Sequence, residues 1–137
     1  MTNVDNARRW YAAMRAKERD VALSLMHPDL VLIEAPSLPY AGDINAEGLR
    51  EIRGRAGFFE WSERSGPRRL EGFDFDIHEL LPVGERAEAV VAMLTMSGKR
   101  LDGIPFAIPV AEFSWWVEDL VVKVQPYYFD TAALIAA

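Results

Sequence analysis

The sequence has 137 residues, half of them hydrophobic, and a formal net charge of −6. This length fits a single domain over residues 1–137, and the hydrophobic fraction is ample for a core. The negative charge repels phosphate backbones and so disfavours nucleic-acid partners. The chain has no cysteine, which excludes disulfides and thiolate chemistry and fits a reducing cytoplasm. It also has no signal-peptide pattern and no apolar run near the roughly 20 residues of a membrane span, so we expect a cytoplasmic protein without a membrane partner.

Apolar residues at helical spacing predict three helices in the first half of the chain. The first covers residues 5–16, and Thr2, Asn3 or Asp5 could cap its start. A shorter second helix ends at Met26, because the following His27-Pro28-Asp29 disfavours helical backbone. The third is predicted over residues 46–62 with Asn45 as its cap, although it contains three glycines, which weaken helices.

Strand patterns occupy most of the remainder, at residues 30–35, 70–81, 87–97, 106–117 and 120–128. In the second of these, apolar and polar residues alternate from Phe73 to His78, which indicates one buried and one wetter face. The tight break at Glu118-Asp119 predicts an antiparallel hairpin between the last two strands. Early helices followed by a strand meander predict an α+β fold with helices on one face of a curved, mostly antiparallel sheet.

Two polar clusters are not assigned to a site. The basic stretch from Arg64 to Arg69 is short and carries turn residues, which is typical of a solvated loop. Asp74, Asp76 and His78 share one strand face, but same-face positions lie roughly 7 Å apart, which strains convergence on one ion, so we expect a solvated or subunit-facing edge. With two histidines, no cysteine and no glycine-rich phosphate loop, we expect neither a metal nor a cofactor.

Three segments carry a resemblance to a known family. They are the Trp10-Tyr11 pair on the first helix, residues 37–42 after the first strand, and residues 126–134 at the end. Together with the order of elements, they resemble the SnoaL-like group of the nuclear transport factor 2-like superfamily, which includes ketosteroid isomerase. The resemblance implies a cone-shaped, strongly curved sheet wrapped around an N-terminal helix, with two further short helices and an apolar pocket. Members include isomerases, cyclases, hydratases, epoxide hydrolases and proteins that only bind, so the fold does not settle the function.

A comparison with ketosteroid isomerase implies individual roles. Residues 9–14 resemble the helix segment that carries the oxyanion-hole tyrosine, and Trp10 takes the tyrosine's place. Glu34 falls where the isomerase has its catalytic aspartate, and Ala111 corresponds to the protonated aspartate of the oxyanion hole. The resemblance therefore implies a base without the two-donor oxyanion hole, which disfavours steroid isomerisation.

The candidate polar residues each have a structural alternative. Glu34 closes an apolar strand, so it lies either at a wet strand end or in a pocket with a raised pKa. Tyr40 is expected at the pocket mouth, as a hydrogen-bond donor or as a lid packed by its ring. Tyr128 is expected to face the pocket and Tyr127 to face away. Asp130 is a candidate ligand contact, but capping of the terminal turn is the favoured role.

Aromatic residues supply the rest of the predicted pocket. Tyr11, Phe59, Phe113 and Trp115 are core candidates that would line a ligand cavity wherever they remain uncovered. Trp116 is predicted on the opposite face from Trp115, where a single-layer core has no place for it. Since large aromatic residues are favoured at interfaces, we expect a homodimer through the outer sheet face.

Three functions remain open at this point. The first is a cofactor-independent enzyme of isomerase, cyclase or hydrolase type, acting on a small hydrophobic molecule that is carbonyl-bearing or polycyclic. Glu34 would be its base, and Trp10, Tyr40 or Tyr128 would donate hydrogen bonds. The second is a non-catalytic module that binds a small hydrophobic ligand. The third is an interaction domain whose cavity is filled by its own side chains.

Overall fold

A curved, seven-stranded sheet surrounds the first helix in the computed structural model, which describes residues 1–38 and 41–135. The strands are β1 (Met26–Glu34), β2 (Asp43–Ile44), β3 (Arg50–Arg53), β4 (Asp74–Val83), β5 (Ala89–Lys99), β6 (Pro105–Val117) and β7 (Leu120–Tyr128). They lie in the order β2-β3-β1-β7-β6-β5-β4. The β1–β7 pair is parallel and every other pairing is antiparallel. The predicted α+β fold with a mostly antiparallel, curved sheet is confirmed.

The helices of the described residues are α1 (Asn3–Ala16), α2 (Arg19–Ser24), α3 (Arg55–Arg64) and α4 (Thr131–Ile135), with a short 3₁₀ helix at Pro67–Arg69. Thr2 caps α1 in a capping box, because its side chain accepts a hydrogen bond from the Asp5 N–H and the Asp5 carboxylate accepts one from the Thr2 N–H. Lys17 ends α1 in the left-handed region at φ 58°. None of these helices is long and apolar enough to cross a membrane.

The core forms where α1 packs on the inner face of the sheet. Trp10 on α1 is 1% exposed and lies edge-on to Trp116 of β6, with the ring centroids 6.3 Å apart. Trp116 is 3% exposed, so the prediction that this residue has no place in the core is wrong. The inward series of β6 begins at Phe106, recurs at every second residue as the pleat of a strand requires, and reaches Trp116; all its members except one, at position 112, are buried.

The predicted third helix is wrong in its first half. Residues 50–53 form strand β3, which pairs with β1 in the register Leu32↔Ile52, and α3 begins only at Arg55. Gly54 separates the two elements at φ 81°, in the region that favours glycine. The Asn45 side chain accepts hydrogen bonds from the N–H groups of Glu47 and Leu49, so it stabilises a turn and not a helix start.

Other boundaries shift by a few residues. Strand β1 already begins at Met26, so His27 and Pro28 lie in a strand and do not end the second helix. Strand β4 begins four residues later than predicted, at Asp74, after the 3₁₀ helix and a turn. The β6–β7 hairpin is confirmed, and its two-residue turn places Glu118 and Asp119 at φ 50° and 66°.

Candidate functional site

A cavity of about 90 Å³ lies between α1, α3 and the inner face of the sheet. Most of its wall is apolar, with side chains such as Trp10, Leu32, Phe58, Leu94 and Val124. Polar groups come from Tyr11, Glu34, Ser62, Arg68, Glu112 and Tyr128. An apolar cavity with a few convergent polar groups is the usual form of a small-molecule site.

Glu34, the last residue of β1, is one of two carboxyl groups in this cavity and is only 2% exposed. The Tyr128 hydroxyl donates to it, 2.8 Å from Oε1 and 2.9 Å from Oε2. Burial raises the pKa of Glu34 to about 8; the hydrogen bond from Tyr128 opposes this rise and the charge of Glu112 adds to it. Glu34 therefore lies in a pocket that raises its pKa and not at a solvent-exposed strand end.

Glu112 is the second carboxyl group, and the sequence analysis missed it. It lies in the middle of β6 and accepts a 2.7 Å hydrogen bond from the Tyr11 hydroxyl. The residue as a whole is partly exposed, but its carboxyl group is enclosed, and this burial raises its pKa to about 7. Burial and the neighbouring carboxylate raise the pKa of Tyr11 well above 10, so its hydroxyl stays a donor.

The register of the sheet explains why the two carboxyl groups share one cavity. Glu112 lies opposite Pro126 of β7. On the other side of β7, Leu32 of β1 lies opposite Val124. Because β1 and β7 run parallel, Glu34, two residues after Leu32, lies level with Pro126, two residues after Val124. Because side chains two residues apart share a face, both glutamates project inward on either side of β7. The result is two phenol–carboxyl pairs, Tyr128 with Glu34 and Tyr11 with Glu112, in an apolar enclosure.

Trp10, a residue of the cavity wall, has an unused hydrogen-bond donor. Its side chain lines the cavity, and its indole Nε1 is buried with no hydrogen-bond acceptor among the described residues. A buried donor without a partner costs on the order of 1–3 kcal/mol. The position of Trp10 beside Tyr11 and Phe58, at centroid distances of 5.0 and 6.3 Å, holds the ring in place.

The structure separates the other predicted site residues. Tyr40 lies outside the described residues. Tyr128 faces the cavity and Tyr127, 55% exposed, faces away, as predicted. Asp130 is exposed and its carboxylate accepts hydrogen bonds from the N–H groups of Ala132 and Ala133, which is the capping role and corrects its assignment as a ligand contact.

Three predicted lining residues also need correction. Phe59 is buried beside Phe58 and under the guanidinium of Arg19, outside this cavity. Phe113 and Trp115 stack on each other on the outer face of the sheet, with centroids 6.0 Å apart. The alternation of β6 is responsible, since the even-numbered residues point inward and the odd-numbered ones outward.

Comparison with known proteins identifies the family of this chain. Residues 7–124 match the model of the SnoaL-like domain. The chain belongs to the SnoaL-like domain family. No curated protein matches it.

Solved structures share the fold of this SnoaL-like domain at low identity. TerC, co-crystallised with polyporic acid, superposes with a TM-score of 0.78 at 21% identity, covering 96% of this chain and 94% of that one. An NTF2-like protein of unknown function from Burkholderia pseudomallei gives 0.78 at 16% identity, covering 98% and 96%. An NTF2-like protein from Burkholderia xenovorans gives 0.72 at 19% identity, covering 98% and 95%. The resemblance drawn from the sequence is confirmed for the family and the fold.

The site of this SnoaL-like domain also contains an acid that the comparison with the isomerase did not predict. Ala111, aligned with the isomerase's second acid, pairs with Tyr127 on the outer face of the sheet. The next residue, Glu112, lies inside the cavity, so a second carboxyl group is present there. Within the described residues, no group of three or more His, Asp or Glu side chains is placed to hold a metal ion.

Proposed function

We propose that this SnoaL-like domain is a cofactor-independent enzyme that transfers a proton on a small hydrophobic carbonyl compound. The observation that carries the proposal is the pair Glu34 and Glu112, two carboxyl groups in one apolar cavity with pKa values raised to about 8 and about 7. A general acid or base is most effective when its pKa lies near the working pH.

The pair can supply one acid and one base at the same time. Near pH 7 it retains at least one proton, since the pKa of Glu34 lies above that pH and that of Glu112 close to it. The ionised carboxylate would take a proton from the carbon next to a carbonyl group. The carboxylic acid would donate a hydrogen bond to the carbonyl oxygen, where negative charge develops. Because the two pKa values lie close together, either carboxyl group can serve as the base while the other serves as the acid.

The size and walls of the cavity define the substrate class. Its volume of about 90 Å³ is below the roughly 150 Å³ of an apolar cavity that admits benzene. The cavity as it stands thus suits a molecule smaller than benzene, and a ring compound would require Phe58 and Trp61 of α3 to move outward. The unpaired N–H of Trp10 supports a ligand with an oxygen acceptor, which would complete its hydrogen bonding. That TerC was co-crystallised with polyporic acid supports a small-molecule ligand for a protein of this fold.

Deuterium exchange tests the proposal without knowledge of the natural substrate. A panel of small enolisable ketones is incubated with the protein in D₂O, and the loss of the α-proton signals is followed by NMR. The wild type is expected to accelerate exchange, and Glu34→Gln and Glu112→Gln each to lower the rate by about 10²–10⁴-fold. Glutamine keeps a hydrogen-bond donor, so the variant that retains more activity identifies the acid.

The control is Glu60→Gln, which changes an exposed glutamate paired with Arg64 on α3. Equal exchange in the wild type and both cavity variants would contradict the proposal. Ligand binding without exchange would favour the non-catalytic binding module, and the absence of any binding would favour the interaction domain.

We also propose that two copies associate through the outer face of the sheet. The support is an aromatic cluster there: Phe113 stacks on Trp115, Tyr127 lies edge-on to Phe113 at 5.6 Å, and the Lys123 ammonium lies 4.7 Å from the Trp115 ring. Met93, on the same face, is 42% exposed. Aromatic residues and methionine are enriched at interfaces. Trp116 does not take part, because it is buried on the inner face.

A further inference from the structure

We propose that Arg68 is an anion-binding residue at the rim of the cavity and that the substrate carries a carboxylate; this inference rests on the proposed function for the cavity itself. Arg68 belongs to the basic stretch that the sequence analysis assigned to solvent. The structure instead places it in the 3₁₀ helix Pro67–Arg69, half-buried, with its side chain lining the cavity.

The hydrogen bonds of Arg68 leave most of its donors unused. Nη2 donates to the carbonyl oxygen of Met14 at 3.1 Å, and Nη1 lies 3.9 Å from the Met14 sulfur. A guanidinium has five N–H donors arranged as a fork that matches a carboxylate. Along the parts of the chain that the structure describes, no carboxylate lies within 4 Å of Arg68.

The electrostatic surroundings make this cation receptive to an anion. Burial lowers the pKa of Arg68, and the charge of Glu63 opposes this effect. Glu63 itself is paired with Arg19 at 3.3 Å, so it is not available as a dedicated partner. A partly desolvated cation without a counter-ion is destabilising, and a bound anion would remove that cost.

A second groove extends the positive region away from the cavity. Its volume is about 240 Å³, and it shares Met14 and Arg68 with the cavity. Its charged residues are Lys17, Arg19, Arg68 and Glu63, so cations exceed anions by two. This local excess is notable in a chain whose net charge is −6. An anionic group at Arg68 would therefore meet the positive charge of Arg68 and of the groove beyond it, while the carbonyl end of the same molecule pointed into the cavity that holds Glu34 and Glu112.

Matched ligands test the charge preference without any turnover. Propanoate and propanamide have nearly the same shape, are smaller than benzene and differ in charge, and their affinities are measured by isothermal titration calorimetry. Wild type is expected to bind propanoate at least about tenfold more tightly than propanamide, the gain typical of one charge-assisted contact. Added salt should weaken the binding of propanoate and leave that of propanamide unchanged.

Variants assign the preference to one residue. Arg68→Met keeps the apolar stem and should bring the affinities for propanoate and propanamide to about the same value without changing the affinity for propanamide. Arg68→Lys keeps the charge but not the fork, and it should retain part of the preference. Arg64→Met is the matched control, because Arg64 lies in the same basic stretch with a side chain 77% exposed, and it should behave as wild type.

Several results would overturn the inference. One is that the wild type binds propanoate no more tightly than propanamide, including the case in which neither binds up to about 10 mM. Another is an unchanged preference in Arg68→Met. If Arg68→Met fails to fold, the inference is overturned equally by a preference for the carboxylate over the amide that is insensitive to salt and undiminished in Arg68→Lys. This binding measurement is separate from catalysis. If the preference for the carboxylate holds in Glu34→Gln and Glu112→Gln while neither the wild type nor any variant accelerates deuterium exchange, Arg68 remains the anion site and the acid–base function is refuted.

Discussion

Tyr128 and Glu34 close two parallel neighbouring strands, and the phenol hydroxyl lies 2.8 and 2.9 Å from the two carboxylate oxygens. The carboxyl ends of parallel strands meet at the same edge of a sheet, so the pairing of β1 with β7 makes this contact possible. The bond stabilises the ionised form of Glu34 inside an apolar enclosure, and it works against the effect of burial on the pKa.

Removing this bond should raise the pKa of Glu34 further. In Tyr128→Phe the carboxylate loses its donor while burial and the charge of Glu112 remain, so the titration should move upward from about 8. The measurement is a pH titration of the glutamate side-chain carbons by NMR. Tyr127→Phe is the control, because Tyr127 faces outward and is 55% exposed. An equal shift in both variants, or a downward shift in Tyr128→Phe, would show that the contact does not stabilise the ionised form.

The raised pKa values also predict how stability depends on pH. The pKa of Glu34 rises from an ordinary 4.5 to about 8 on folding, and that of Glu112 to about 7. Between pH 4.5 and 8 the folded protein therefore binds more protons than the unfolded chain, so the free energy of unfolding should fall as pH rises. The contribution of these groups is complete below about pH 4.5 and is lost through pH 7–8.

Glutamine variants test how much each group contributes to the pH dependence of the free energy of unfolding. A group that titrates in only one state changes stability by at most about 1.4 kcal/mol per pH unit. Glu34→Gln should therefore flatten the slope between pH 5 and 8, and it should be more stable than the wild type at pH 9. Glu112 should contribute less, because its pKa rises only to about 7. Urea unfolding across this range provides the measurement. Glu60→Gln, exposed on α3, should keep the wild-type slope, whereas a wild-type stability that rises towards pH 8 would contradict the assignment.

The sequence predicts the fold of this protein better than its site. Long strands such as β7 follow from hydrophobic patterning, and their bounds agree with the structure. The helix predicted over residues 46–62 is wrong in its first half because β3 forms by pairing with β1, which is distant in sequence. Local propensity contains no information about that partner strand. Glu112 was predictable in part: it continues the inward series of Ile108 and Val110, and a lone charge in such a series signals a polar group in the core. The pairing with Tyr11, 101 residues away, depends on the three-dimensional fold.

Two glycines with the same backbone conformation should respond differently to alanine. Gly42 and Gly48 have φ of 82° and 78°. A Cβ at Gly42 would clash with the Glu51 carbonyl oxygen and lie 2.9 Å from Cγ1 of Ile52, whereas a Cβ at Gly48 would meet nothing within 4 Å. Gly48→Ala should cost about 1 kcal/mol from the left-handed backbone alone, and Gly42→Ala at least about 3 kcal/mol because strand β3 must also shift. Urea unfolding measures both costs, and equal values would show that the contact with β3 is unimportant.

The aromatic cluster on the outer face predicts a dimer that one substitution can break. The Trp115 ring stacks on Phe113 with the ring centroids 6.0 Å apart, and the Lys123 ammonium lies 4.7 Å from the Trp115 ring. This cluster lies on the opposite face of the sheet from Glu34 and Glu112. Trp115→Glu would place a charge in the desolvated centre of the interface, so sedimentation velocity should show the wild type as a dimer and the variant as a folded monomer. Leu101→Glu is the control, because Leu101 is 75% exposed and lies outside the cluster. A monomeric wild type, or a Trp115→Glu variant that still dimerises, would exclude this face as the interface.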